Sequence, residues 1–331
     1  MATNRFFSYK LLGSILLLLL ASLLAMRFGA ADTSLQDVGL ALIGTQESDT
    51  IMMLQEIRFP RVVATIFVGA ALAVAGAIMQ GVTRNPLADP GILGVSAGAN
   101  VALAFTIALL PSANYFMVMI ACFIGASIGT LLVIGISSIS ATGFSALRIV
   151  LAGSAVSAFL YAVADGIGIY FKISKDVSMW TAGGFIGTNW NQLQVILPFI
   201  VISLVVALFL TRQLSILSLD EDVAVGLGQS IILIKTIFFL LISILAGAAV
   251  ALVGNLAFIG LMIPHIVRAM VGTNYQRIIP LSITIGATFM VLAETVGRTI
   301  NAPYETSVAA IVSIVGLPFF LIIVRKGAKA V

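Results

Sequence analysis

The sequence predicts an all-α, polytopic membrane protein, and three observations carry that prediction. Of its 331 residues, 60% are hydrophobic and only 9% charged, whereas a soluble domain carries about 25% charge. Mean hydropathy is +1.17. Apolar runs long enough to cross a bilayer, which takes about 20 helical residues, recur along the whole chain. The 30 glycines fall largely within those runs, as expected where helices pack closely through small residues. The net charge of +4 is spread along the chain and forms no clustered basic face for nucleic acid. One cysteine, Cys122, and one histidine, His265, exclude an intrachain disulfide and any Cys-rich or multi-His metal site.

Taken in order, residues 11–28 follow Arg5 and Lys10 and have the pattern of a signal peptide, with Gly29-Ala30-Ala31 behind it. The later spans favour a first transmembrane helix instead. Residues 29–57 are polar and acidic and are expected outside the bilayer. Further spans are expected near 60–81, 92–110, 115–136, 148–171, 191–211, 231–252, 255–271, 279–297 and 307–324. That gives ten within one transmembrane domain, residues 1–331, with both termini on one side. Residues 174–188 are too polar to span and are expected as a short interfacial helix ending in Gly-Gly.

Parity places 11 of the 17 basic residues on the side of the termini, which the positive-inside rule makes the cytoplasm. Arg58, Arg61 and Arg298 fall at the other face and call for a reason. Arg58 and Arg61, three apart, share a helix face, and an outward basic cluster suits an acidic partner by charge complementarity. The plain alternatives are snorkelling to the interface and, for Arg298, a pair with Glu294 one turn earlier. The segments 69–76 (GAALAVAG) and 247–254 (GAAVALVG) match at five of eight positions, a faint echo of the inverted repeats common in transporters.

The turn Asn85-Pro86-Leu87-Ala88-Asp89-Pro90-Gly91 carries two prolines four apart, which no regular helix accommodates. Asp89 is placed to cap the next helix, so a rigid cytoplasmic elbow is expected. The loop Leu219-Asp220-Glu221-Asp222-Val223-Ala224-Val225-Gly226-Leu227-Gly228-Gln229 begins with three acids, which favour a helix start, and its glycines end a short helix well. Such a helix fits a partner's groove, and its acidity argues against anionic lipid.

Gly94-Val95-Ser96-Ala97-Gly98 satisfies the G-x-S-x-G pattern of serine hydrolases. With His265 it raises an intramembrane serine protease as a rival function, although the strand–turn–helix context of that motif is lacking. Asp165, an acid inside the fifth span, raises a proton-coupled carrier. The chain has no G-x-x-x-x-G-K-[ST] and no Gly-Lys pair, so it has no P-loop of its own.

Four stretches together carry a resemblance: QEIRFPRVVATIFVGAALAVAGAIMQGVTRNPLADPGILGVSAGA (55–99), GNLAFIGLMIPHIVRAMVG (254–272), LAETVGR (292–298) and VGLPFFLIIVRK (315–326). The sequence closely resembles the FecCD/BtuC-like permeases of bacterial ABC importers for iron-siderophores, haem and cobalamin. It departs from them at Ala257-Phe258-Ile259-Gly260, where Gly-Phe-Ile-Gly is usual, and in the Pro-containing segment Asn301–Thr306.

The resemblance implies a non-enzymatic permease with a ten-helix BtuC-like fold and an inverted repeat, paired with a second permease subunit as a homodimer or heterodimer. It implies two cytoplasmic ATPase subunits, which use ATP and Mg and bind the loop Leu219–Gln229, and an extracytoplasmic binding protein whose acids dock on Arg58, Arg61 and Arg298. Neither a cofactor nor a metal is expected on this chain. The bacterial plasma membrane is the expected location and a ferric siderophore the expected cargo, with haem or cobalamin as alternatives.

Overall fold

In the computed structural model, which describes residues 2–29, 33–44, 48–138, 146–219 and 221–327, α4 (Phe59–Thr83) is the axis of the molecule. Almost every side chain from Pro60 to Thr83 is buried, because three longer helices and one short one surround it. In chain order the elements before it are α1 (Ala2–Arg27), α2 (Leu35–Ile43) and α3 (Asp49–Met53), followed by a π-turn, Leu54–Arg58. After α4 and a 3-10 turn at Pro90–Leu93 come α5 (Val95–Leu109), α6 (Tyr115–Ser138), α7 (Ala146–Tyr170) and α8 (Ser174–Thr181). Then follow α9 (Trp190–Phe209), α10 (Thr211–Leu217), α11 (Glu221–Gly226), α12 (Ile231–Val253), α13 (Ile259–Val271), α14 (Tyr275–Thr299) and α15 (Val308–Gly327). There is no strand among the described residues.

Each expected span falls on a helix. Among the described residues, seven helices are long and apolar enough to cross a membrane, while Val95–Leu109, Ile259–Val271 and Val308–Ile323 are shorter apolar helices. The first two are short for local reasons. Pro90 and the left-handed Gly94 (φ 75°) delay the start of α5. The span expected from residue 255 begins only at Ile259, because Gly254–Ala257 carry no regular structure and Phe258 is left-handed at φ 68°.

Helix α4 packs on α14, α12 and α13, and small residues set those distances. A Cβ on Gly76 would lie 1.8 Å from the carbonyl oxygen of Gly260 on α13, far inside any permitted contact, so only glycine allows this approach. The same carbonyl has a second role. Pro264 lacks the N–H that Gly260 would otherwise serve, and the Gln80 amide donates to Gly260 O at 3.3 Å and Leu261 O at 3.2 Å. The Arg268 guanidinium closes the network on Gln80 Oε1 at 2.9 Å.

Helix α1 is fastened into this bundle. Its Ser14 hydroxyl shares a 2.8 Å hydrogen bond with Thr284 of α14. Lys10 donates to Met270 O at 2.6 Å, at the carbonyl end of α13, where a cation also complements the helix dipole. The echoing segments 69–76 and 247–254 lie on α4 and α12, which pack together, but their last glycines differ in role. Gly76 admits a neighbouring helix, while Gly254 ends α12 at φ 76°.

Candidate functional site

The three arginines that the charge rule left unexplained converge at one end of the bundle, and all are buried: Arg58 is 4%, Arg61 7% and Arg298 4% exposed. The backbone that delivers them is the π-turn before α4. Pro60 has no N–H, and Phe59 N bonds five residues back, to Leu54 O, a widened turn of the kind found within helices at functional positions. It leaves Gln55 O open to the Trp190 indole N–H at 3.0 Å. It also turns Arg58 inward.

Arg58 donates from Nη1 to Met26 O at 2.7 Å, to Thr33 Oγ1 at 2.9 Å and to Arg27 O at 3.3 Å. These carbonyls are unpaired ends of α1, and the charge sits at the negative end of that helix. Gly29 makes room for it, since a Cβ there would lie 2.8 Å from Arg58 Nη2.

Arg61 and Arg298 share Glu294. The Arg61 Nε contacts Glu294 Oε1, and Arg298 Nη2 lies 3.1 Å from Glu294 Oε2, the i,i+4 pair expected from the sequence. Arg298 Nη2 also donates to Ala25 O at 2.9 Å. The opposite edge of Arg61 is held by Glu305 in two parallel bonds, Nη1–Oε1 at 2.8 Å and Nη2–Oε2 at 2.6 Å, the fork geometry that makes arginine the strong partner of carboxylates. The Arg61 N–H groups hold the Glu305 carboxyl below its ordinary range, against the opposing effect of burial. Among the described residues, Arg61 and Arg298 thus face two carboxylates in a largely buried site, while Arg58 is held at the carbonyl end of α1. The outward basic cluster expected from the sequence is buried, and its charges have internal partners, Glu294 for Arg298 being the one the spacing predicts; burying them unpaired would cost several kcal/mol each.

Glu305 is the residue that sequence reasoning passed over. The signal was present: an acid in the Pro-containing segment beside Arg298, on the face of the unexplained arginines. Glu294, 1% exposed, serves Arg61 as well as the Arg298 that its spacing predicts.

At the opposite end, residues 85–91 form a turn. Asp89 Oδ1 accepts from Gly91 N at 2.7 Å and Asn85 Oδ1 from Leu87 N at 2.9 Å, with Pro86 between them and Pro90 opening the 3-10 turn. Burial pushes the Asp89 carboxyl up, partly offset by the Gly91 N–H. The acidic loop contains the short helix α11, with Ala224 buried and Leu219, Val223, Val225 and Leu227 at least 49% exposed. Gly226 closes the helix and Gly228 turns at φ 79°; Asp222 lies within α11. Asp220 lies outside the described residues, as does the Glu221 side chain. Beside Leu219 is a groove of about 620 Å³ lined by Arg212, Ser215, Ser218, Thr273, Asn274 and Gln276, among others.

Ser96 and His265 are engaged separately. The Ser96 hydroxyl donates to Asn255 Oδ1 at 3.1 Å, and His265 meets the Phe319 ring edge-on at 5.9 Å. The glycines of the G-x-S-x-G pattern have a packing reason. A Cβ on Gly98 would lie 2.1 Å from Gly125 O on α6, and Gly94 opens α5 in the left-handed region, against Gly129. Asp165 is exposed on α7, and helix α8 stands where the interfacial helix was expected, ending before Gly183-Gly184. No group of acids, cysteines and histidine suited to a metal occurs among the described residues.

The comparisons with known proteins run the length of the chain. The profile of the FecCD transport family matches residues 17–326. The iron(3+)-hydroxamate import system permease protein FhuB of Bacillus subtilis (strain 168) is 41% identical over 317 residues, covering 96% of this chain and 83% of that protein. The ferric enterobactin transport system permease protein FepD of Escherichia coli (strain K12) is 35% identical over 318 residues, covering 96% and 95%. A solved structure described as a metal-chelate type ABC transporter in an inward-facing conformation superposes with a TM-score of 0.84 at 26% identity, over 96% of this chain and 98% of that one. With motif, fold and length in agreement, the chain belongs to the FecCD transport family.

Proposed function

We propose that this chain is the membrane-spanning permease subunit of an ATP-driven importer that carries a ferric siderophore into the cytoplasm. The observation that carries the reading is the end-to-end similarity to permeases named for iron(3+)-hydroxamate and ferric enterobactin import. In this reading the chain crosses the plasma membrane ten times, α5, α13 and α15 completing the seven longer spans, with both termini cytoplasmic and α8 at the outer face. It binds no cofactor. Two ATPase subunits supply the energy, and a second permease subunit completes the path, as an identical copy or a relative.

The loop Leu219–Gln229 receives the ATPase. Its support is the row of exposed apolar side chains Leu219, Val223, Val225 and Leu227 on and around a short helix, which offers a partner more than it offers water. Arg58, Arg61 and Arg298 form the docking site for a binding protein's acids. The bidentate hold of Arg61 on Glu305 supports that role, since the same guanidinium edge fits the carboxylate of a partner. Alternating access is then driven by ATP closing the ATPase pair, with the elbow at Asn85, Pro86, Asp89 and Pro90 holding α4 and α5 at a set angle.

The test is reconstitution of the chain in proteoliposomes with and without its co-purifying ATPase and binding protein, supplied with radioiron-labelled hydroxamate siderophore. Uptake is expected only with all components and ATP. Uptake by the chain alone under a proton gradient would overturn the reading in favour of a proton-coupled carrier.

A further inference from the structure

A docking site made of buried arginines poses a steric problem, since no partner carboxylate reaches Arg61 while Glu305 occupies its Nη1/Nη2 edge. The two acids on Arg61 are not equivalent. The Glu294 side chain is 1% exposed, is fixed on α14 and also serves Arg298. The Glu305 side chain is 26% exposed and stands in the irregular segment between α14 and α15.

We propose that Glu305 is an exchangeable internal stand-in: an acidic side chain of the docking protein takes the bidentate edge of Arg61, and Glu305 is released to solvent. This rests on the docking role proposed for the arginines. The exchange keeps one carboxylate on that guanidinium edge, so the buried charge is unchanged. The incoming carboxylate loses water and the outgoing one gains it, so desolvation largely cancels. Arg58 and Arg298 remain bound to the carbonyls of α1 and act as the fixed floor.

The released segment is wired to the rest of the subunit. Thr306 N bonds Gly297 O at 2.9 Å, and the Ser307 hydroxyl donates to Ala182 O at 2.6 Å. Ala182 precedes Gly183-Gly184, where Gly184 N bonds Val253 O at 2.9 Å. Displacing Glu305 therefore disturbs the first turn of α15 and the end of α8 together, which links an occupied docking face to two elements outside the α4 core.

The assembled importer in nanodiscs tests this, with its co-purifying binding protein titrated against the unaltered chain, Glu305→Gln and Arg61→Gln. Removing the internal competitor is expected to tighten binding about tenfold, within the usual span of coupling energies, and Arg61→Gln to weaken it. A spin label at Tyr304, 74% exposed, introduced as Tyr304→Cys with Cys122→Ala, is expected to become mobile on docking, and to be mobile without the partner in Glu305→Gln. If Arg61→Gln binds normally, the docking role itself fails. If Arg61→Gln weakens binding while Glu305→Gln leaves it unchanged or weaker and the label stays still, docking stands and the exchange is overturned. Glu305→Asp, a shorter acid with poorer bidentate reach, carries the same test should Glu305→Gln fail to assemble; no tightening then overturns the exchange.

Discussion

Arg61 and Glu305, 244 positions apart in the chain, face each other in a bidentate ion pair that joins the start of α4 to the segment leading into α15. A second acid, Glu294, contacts Nε of the same guanidinium. The difference in burial between these two carboxylates makes their expected mutational effects diverge.

Glu294→Gln leaves Arg61 and Arg298 without their shared counterion at a buried site. Breaking a buried pair in this way costs about 3–5 kcal/mol. A large fall in thermal midpoint is expected in detergent or nanodiscs. Glu305→Gln, at the wet edge, is expected to cost at most about 1 kcal/mol. Equal losses for the two variants would contradict the assignment of Glu294 as the fixed ion and Glu305 as the loose one.

The Arg61–Glu305 pair also predicts a pH response. Glu305 is held below the ordinary carboxylate range chiefly by the Arg61 N–H groups. Its contribution is therefore fully present above that range and disappears as pH falls through the lowered value. The charged groups facing it, Arg61 and Arg298, keep their protons throughout this window. A label at Tyr304 should stay ordered from neutral pH down to the ordinary carboxylate range and loosen only below it. Loosening near neutrality would point to a different group.

Packing at the α5–α6 crossing gives a cleaner steric test. A Cβ on Gly98 would lie 2.1 Å from Gly125 O, so Gly98→Ala forces the helices apart and is expected to cost about 1–3 kcal/mol, as overpacking does. Ser96→Ala removes only the bond to Asn255 and should leave siderophore uptake intact. Loss of a proteolytic activity in Ser96→Ala would instead support the protease reading of the G-x-S-x-G pattern.

Arg58 closes the carbonyl end of α1 through Met26 O and Arg27 O. Arg58→Met keeps much of the side-chain volume and removes these donors. Faster amide hydrogen exchange is expected in the last turn of α1, with little change in α12, whose contacts lie elsewhere. Uniform acceleration across the bundle would show that Arg58 supports the whole fold.

Much of this protein was legible along the chain. Membrane spans are set by local hydropathy, so each expected apolar run coincides with a helix, and the Asp89 cap, the elbow and α8 depend on neighbours within a few residues. What the sequence could not order was any interaction between distant helices. The charge rule singled out Arg58, Arg61 and Arg298 as anomalous, yet only the Glu294–Arg298 pair, one helical turn apart, shows in the spacing; Met26 beside Arg58, and Glu294 and Glu305 beside Arg61, follow no periodicity that links them to those arginines. Likewise, G-x-S-x-G is two glycines admitting α6, and Pro264 frees a carbonyl that Gln80, some 180 residues earlier, comes to occupy. In each case a buried charge, an unpaired carbonyl or a missing Cβ created a local demand, and only the packing of the helices decided which residue met it.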